Sequence, residues 1–209
     1  MILQTEVYGV IAVNAYFYID DETRHGFLID PGAQAERLMK IIDERGFTIE
    51  KILLTHGHFD HIGAAGELQS KLGVEICMQS NGRAYAENPA WNMSREFGYS
   101  MTLDDVTYLD DNSEIILSAN KNFSVKLIPV AGHTTDGAIY YSAADSVAFV
   151  GDSIFLGSYG RTDLPGGDEA TLFKNLRTKI FTLPDETVLL SGHSAPTTVA
   201  NEKNRPWYR

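Results

Sequence analysis

Three histidines and an aspartate crowd into six residues of this chain, in the run Thr55-His56-Gly57-His58-Phe59-Asp60-His61. A protein interior accommodates a lone hydrogen-bonded histidine, but four titratable side chains in one short stretch call for something that binds them together. In extended backbone residues 56, 58 and 60 point to one side. Two imidazoles and a carboxylate then converge just past the apolar run 51–54, and a tight turn at Asp60 would bring His61 inward too. Imidazole nitrogen and carboxylate oxygen are ligands for Zn, Fe, Mn or Ni, with no thiolate required. The run is read as a metal site.

Further candidate ligands repeat one pattern: an apolar strand, a small residue, a ligand. His133 stands in Val130-Ala131-Gly132-His133-Thr134, Asp152 in Gly151-Asp152-Ser153 after an apolar run, and His193 in Ser191-Gly192-His193-Ser194 after another. Each alone would be an ordinary loop residue. Repeated, the pattern describes strand ends delivering side chains to one rim.

The rest of the sequence supplies those strands and their cover. Residues 10–19 and 25–29 read as a hairpin around the polar turn 20–24. Residues 33–45 carry Leu38, Ile41 and Ile42 at helical spacing, with Gly46 as a stop. A helix is expected over 63–72 and a strand over 74–78. Two strands are expected within 113–130, others over 137–141 and 146–150, a helix over 168–181 on Leu172, Leu176 and Ile180, and a last strand over 187–190. Residues 81–111 lack a clean period and read as an irregular excursion over the core or as a pocket wall, because long loops often carry binding residues. The mixture argues for sheets covered by helices.

With 209 residues, 44% hydrophobic and 22% charged, the chain fits one domain over 1–209 and excludes wholesale disorder. Lys and Arg number 17 against 28 Asp and Glu, a net −11 that repels nucleic-acid phosphates. No stretch reaches the roughly 20 apolar residues of a membrane span. The start has no basic segment of the secretory kind, and the one cysteine, Cys77, forms no internal disulfide. A cytoplasmic protein that binds neither nucleic acid nor membrane is expected, with association of chains allowed for.

His-x-His-x-Asp-His followed by a lone His, a lone Asp and a final His resembles the ligand set of the metallo-β-lactamase-fold hydrolases. The likeness extends from Asp30-Pro31-Gly32 to the His193 segment. Gly157-Ser158-Tyr159-Gly160-Arg161-Thr162-Asp163-Leu164-Pro165-Gly166-Gly167, with Asn201-Glu202-Lys203-Asn204-Arg205-Pro206 near the end, is similar to the small bacterial glyoxalase II-like branch. The resemblance implies an α/β fold, an αββα four-layer sandwich of mixed and antiparallel sheets covered by helices. It implies two divalent transition metals, zinc first and iron or manganese as alternatives. His56, His58 and His133 would hold one, and Asp60, His61 and His193 the other, with Asp152 between them. Asp60 and Asp152 are the candidate catalytic carboxylates.

Metals about 3.5–4 Å apart share a hydroxide and clamp a tetrahedral oxyanion. The expected reaction is therefore hydrolysis of an acyl bond, first a thioester of the hydroxyacylglutathione kind, by attack of a metal-bound hydroxide. Two metals, two aspartates and one hydroxide leave about +1, which would draw a small anionic acyl substrate despite the acidic surface. Arg161, Tyr159, Phe97 and Tyr99 are the candidate substrate contacts. Arg161 stands where the glyoxalase II family places a basic residue for the glutathione carboxylate, but Asp163 stands where a tyrosine is expected. The other reading of Arg161 and Asp163 is an internal ion pair. Lys203 and Arg205 read as solvated tail residues, His25 as a turn histidine and Cys77 as buried filler. Alternatives within the fold are a mono-iron persulfide dioxygenase using His56, His133 and Asp152, and a lactonase.

Overall fold

A strand that is apolar along its whole length needs cover on both faces, whereas an alternating one needs it on only one. Strand β1 (Ile2–Tyr8) alternates, turning Thr5 and Val7 inward at the edge of its sheet. Strand β2 (Ala12–Ile19) is buried along almost all its length. It sends Tyr16 and Tyr18 to one side and Ala15, Phe17 and Ile19 to the other.

The computed structural model describes residues 1–208, Trp207 by its backbone alone. The first sheet runs β1, β2, β3 (His25–Ile29), β4 (Thr48–Leu53), β5 (Glu75–Gln79) and β6 (Val106–Leu109) in sequence order. It is antiparallel across its first three strands and parallel from β3 onward. The second contains β7 (Glu114–Ile116), β8 (Ser124–Pro129), β9 (Ala138–Ser142), β10 (Val147–Gly151), β11 (Val188–Ser191) and β12 (Thr197–Thr198), again in order. Its β10–β11 pair is parallel and its other pairs are antiparallel.

Between the sheets, Tyr18, Phe27 and Leu53 meet Tyr140, Phe149 and Leu190. Helices α1 (Ala35–Arg45), α2 (Phe59–Ile62), α3 (Ala65–Leu72) and α4 (Arg83–Ala86) follow strands of the first sheet. From α1 and α3, Leu38, Ile42 and Leu68 cover the outer face of that sheet. Helix α5 (Glu169–Asn175) and a π-helical continuation, Leu176–Ile180, lay Leu172, Leu176 and Ile180 over the second sheet. Helix α6 (Val199–Lys203) adds Val199 to that layer. The result is the expected αββα four-layer sandwich with mixed sheets.

The expected elements are present with shifted bounds. Helix α1 begins at Ala35 rather than at residue 33, because Gln34 adopts a left-handed conformation at φ 58°. Gly46, at φ 63°, ends it by donating its N–H to the carbonyls of Ile42 and Asp43. The excursion 81–111 is less irregular than its sequence suggests, since it contains α4 and β6. The side chain of Asn92, fully buried, donates to the carbonyls of Tyr85 and Met101 and accepts from the Ser94 N–H. Its own carbonyl accepts the N–H of Phe59 at 2.9 Å, which ties the excursion to α2.

The chain's end is a correction. Arg205 is no solvated tail residue: it pairs at 2.7 Å with Glu202, whose side chain is completely buried. Glu202 in turn accepts from Thr197 Oγ1 and from the Gly157 N–H, anchoring the 157–167 loop. Lys203 pairs with Asp185. His25 opens β3 with its ring bonded to Glu50, and Cys77 is buried as expected. Among the described residues no helix is long and apolar enough to cross a membrane.

Candidate metal centre

Five of the seven expected ligands lie just beyond the C-terminal ends of strands, on the rim where the two sheets meet, and Asp60 and His61 join them from α2. His56 and His58 follow β4, His133 follows β8, Asp152 follows β10 and His193 follows β11. The rim is stapled at Thr55, whose carbonyl accepts the N–H of Ala138 from the other sheet at 2.8 Å. Extended geometry, however, stops at residue 58. Phe59–Ile62 is a helical turn. Successive residues there are about 100° apart, which lets Asp60 and His61 both reach the same side.

Two clusters of ligand atoms result. Nδ1 of His58 lies 3.1 Å from Nε2 of His56 and 3.0 Å from Nε2 of His133. On the other side Nε2 of His61 lies 3.3 Å from Nε2 of His193, and Asp60 Oδ2 is 3.2 Å from the latter. Asp152 stands between. Its Oδ1 is 3.3 Å from His61 Nε2, while its Oδ2 is 3.4 Å from His193 and 3.7 Å from His133. Ligands at zinc–imidazole distances of about 2.0–2.1 Å stand about 3.3 Å apart in a tetrahedron, so the observed spacings suit an ion at each cluster.

The donor set itself supports the fit. His133 Nδ1 donates to the Arg161 carbonyl at 2.6 Å, His193 Nδ1 to the Ala12 carbonyl at 2.7 Å, and His61 Nδ1 to Asp30 Oδ2 at 2.9 Å. These bonds aim the second ring nitrogen of each histidine at the centre, as a lone pair where the ring is neutral and as an N–H where it is charged. Oδ1 of Asp152 is buried without a hydrogen-bond partner. Those nitrogens and an orphaned carboxylate oxygen, packed 3.0–3.7 Å apart in a buried cluster, need positive charge among them, whether from metal ions or from protons.

The protonation states divide along the same line. Burial, then the neighbouring imidazoles, pushes His56 well below the usual histidine range and His58 down to about 3; burial also lowers His133. These three are neutral ligands. In the other cluster burial opposes every charge and loses. Asp152, Asp30 and Asp60 hold His61 well above its ordinary value, and hydrogen bonds to Asp152 and Asp60 raise His193 to about 9. His61 and His193 reciprocally keep Asp60 low and Asp152 very low. Without metal, this half stores its positive charge as protons.

Sequence reasoning missed Asp30 as a support. It lies outside the motif, yet besides His61 it binds the Thr55 N–H at 2.8 Å and the Thr55 hydroxyl at 2.6 Å. Its legible signal was an aspartate directly after an apolar strand. Gly192 was noted only as a small residue. A Cβ built there would meet His61 Cε1 at 2.5 Å and Asp152 Oδ1 at 2.6 Å, so the ligands close over bare backbone.

Above the cluster lies a pocket of about 400 Å³, with His58, Asp60, His133, Asp152 and His193 on its floor. Two of the candidate substrate contacts, Phe97 and Arg161, line it. Tyr99 lines an adjoining hollow. Tyr159 is a correction, being absent from the lining. Its ring packs on Phe173 at 4.7 Å and its hydroxyl bonds Glu169, which makes it part of the outer core of the second sheet. Of the two readings for Arg161, the structure has the ion pair: Nε and Nη2 each bond a different oxygen of Asp163 at 2.7 Å.

Comparison with known proteins agrees with this geometry. The sequence model of the Metallo-beta-lactamase superfamily matches residues 8–193. The hydroxyacylglutathione hydrolase GloC of Haemophilus influenzae is 36% identical over 186 residues, 88% of this chain and 86% of the relative. Among solved structures, the BLEG-1 B3 metallo-beta-lactamase superposes with a TM-score of 0.92 at 33% identity, covering 100% of this chain and 99% of the other. TTHA1623 in a di-iron-bound form superposes at 0.84 and 29% identity, covering 98% and 99%.

Proposed function

The chain belongs to the metallo-beta-lactamase superfamily, and from that premise we propose that it is a metal-dependent hydrolase cleaving an acyl bond, a thioester first of all. The observation that carries the reading is the pair of ligand clusters, His56/His58/His133 and Asp60/His61/His193, with Asp152 within reach of both. A pair of divalent cations held there would supply an activated water and polarise the acyl carbonyl. The chain's own residues do the rest. The bonds from His133, His193 and His61 to Arg161, Ala12 and Asp30 fix the imidazole rings, so the ligands need not reorganise during turnover. A departing thiolate needs little protonation, which accords with a pocket lining that offers no dedicated acid beside the candidate ligands.

The similarity to GloC supports the thioester in particular, and Zn, Fe and Mn all suit the donor set. Metal analysis of anaerobically purified protein, combined with a panel of thioester, lactone and persulfide substrates, tests the proposal. Close to two transition metals per chain and thioester turnover abolished by His58→Ala in a folded protein are expected. One iron per chain, with oxygen consumed during persulfide turnover, would overturn it.

A further inference from the structure

The pocket above the ligands is walled almost without charge. Ile11, Phe59, Met93, Phe97, Phe155 and Leu164 form its sides, and Arg161 is the one lysine or arginine among the described residues that line them. That guanidinium is held in a bidentate fork by Asp163, and it in turn holds the Asp163 carboxyl down to about 2. An incoming carboxylate must take over an engaged fork, beside a second carboxylate that repels it. The walls therefore offer an anion little net attraction, whatever the charge on the floor.

The apolar surface continues outward. Phe97 lies 4.7 Å from Phe59, centroid to centroid, and is 45% exposed. A second hollow of about 250 Å³ shares Ile11, Phe59 and Asp60 with the pocket and adds Val10, Tyr99 and Met101. Val10, Ile11 and Tyr99 are exposed as well. Single exposed apolar residues are ordinary, whereas a group of them continuous with a reactive floor marks a binding surface.

We infer that the acyl half of the substrate is apolar: a medium-chain, branched or aryl acyl thioester rather than a short hydroxyacyl group on an anionic carrier. This rests on the hydrolase reading above and names its substrate class. The acyl carbon sits over Asp60, His133, Asp152 and His193, and the acyl chain lies along Phe59, Phe97 and Leu164. Water adds to the acyl carbon as the C–S bond breaks, giving a carboxylate, a thiol and one proton; no oxidant or reductant enters.

The test uses the metal-loaded protein with thioesters of one small neutral thiol, N-acetylcysteamine, bearing acetyl, butanoyl, hexanoyl, phenylacetyl, D-lactoyl or succinyl groups. Expected is a kcat/KM that climbs about fourfold per added methylene, the fold-change equivalent to about 0.8 kcal/mol of burial. Hexanoyl and phenylacetyl should lie far above D-lactoyl and succinyl. Phe97→Asp, at a half-exposed position on the pocket rim, should flatten the climb. Asp163→Asn, which frees the Arg161 fork, should raise succinyl relative to hexanoyl several-fold. Calorimetric binding of inert ketone analogues, with CH2 between carbonyl and sulfur, should show the same chain-length dependence in Kd. Faster turnover of the D-lactoyl or succinyl ester, or ketone binding indifferent to chain length, overturns the inference. Chain-length-dependent ketone binding without thioester turnover would uphold the apolar acyl pocket and bring down the hydrolase reading instead.

Discussion

Replacing Gly192 by alanine tests whether the ligand array is set by close approach rather than by motif alone. The added Cβ would stand 2.5 Å from His61 Cε1, 2.6 Å from Asp152 Oδ1 and 3.1 Å from His61 Nε2. Ordinary contact begins near 3.4 Å, so about 0.9 Å must be found. The backbone cannot easily yield it, because the Gly192 carbonyl accepts from Asn14 at 2.8 Å and its N–H donates to Gly151 at 3.0 Å. His61 is fully buried and pinned from behind by Asp30. The ligands must then move by several times the about 0.2 Å that coordination tolerates. Overpacking of this kind destabilises by about 1–3 kcal/mol. At about 2–4 °C per kcal/mol for a chain of this size, Tm should fall but leave a folded protein. Elemental analysis and chelator competition should show the Asp60/His61/His193 half losing its metal, with affinity down at least tenfold. Gly66→Ala is the control. It lies inside α3, where a Cβ meets only Leu103 at 3.5 Å, and should stabilise by about 0.5–1 kcal/mol with metal content unchanged. A Gly192→Ala protein that holds two metals with wild-type affinity would refute the steric argument.

Asp30→Asn, measured at high pH where competition from protons fades, should weaken metal binding by about 10–100-fold in the half that contains His61. Chelator competition that finds equal losses in both halves, or none, would reduce Asp30 to a brace for Thr55. Loading should also be asymmetric in protons. At pH 6.5 His61 and His193 are charged in the metal-free protein whereas His56 and His58 are neutral. The first equivalent of Zn²⁺ should therefore enter the three-histidine half and release few protons, and the second should displace about two. Affinity of the second half then rises with pH, by up to about 100-fold per unit while both rings stay charged, and the rise slackens to about tenfold per unit as pH passes about 9, where His193 loses its proton and His61 still holds its own. Proton release followed in a pH-stat checks this, and equal release for both equivalents would contradict it.

The helix-covered sheets and the rim were legible because each depends on short patterns, the mixture of strand and helix periods and the strand–small–ligand repeats. The four-layer order came from the family resemblance that those motifs carry. What escaped depends on contacts between distant segments. The alternation of Leu3, Thr5 and Val7 becomes an edge strand only by pairing with β2. Val106–Leu109 becomes a strand only beside β5. Glu202 and Arg205 look like a polar tail until Thr197 and Gly157 are brought to them. Tyr159 sits among motif residues, yet its ring is spent on Phe173 and its hydroxyl on Glu169. Period-two reasoning carried His56 and His58 correctly and failed at Asp60, where one helical turn replaces extended chain.

The division between floor and walls explains why the fold says more about the reaction than about the substrate. The floor brings seven candidate ligands within 3.0–3.8 Å of a neighbour, and behind them stand Asp30, Arg161 and Ala12 with single hydrogen bonds to ring nitrogens. The walls are held by separate contacts, the excursion through Asn92 and the 157–167 loop through Glu202. They come from the excursion 81–111, which supplies Met93 and Phe97, and from the loops carrying Ile11, Phe155 and Leu164. These residues touch no candidate ligand's outer nitrogen and can change size or polarity without disturbing the rim. On the metal-hydrolase reading, a net −11 chain would keep its cationic chemistry on the floor of the pocket, apart from its acidic surface. Specificity is left to apolar contact, which grades substrates by size rather than by charge. On the proposed acyl hydrolysis the floor would recognise the acyl carbonyl in every substrate alike, and only the walls would distinguish one acyl group from another.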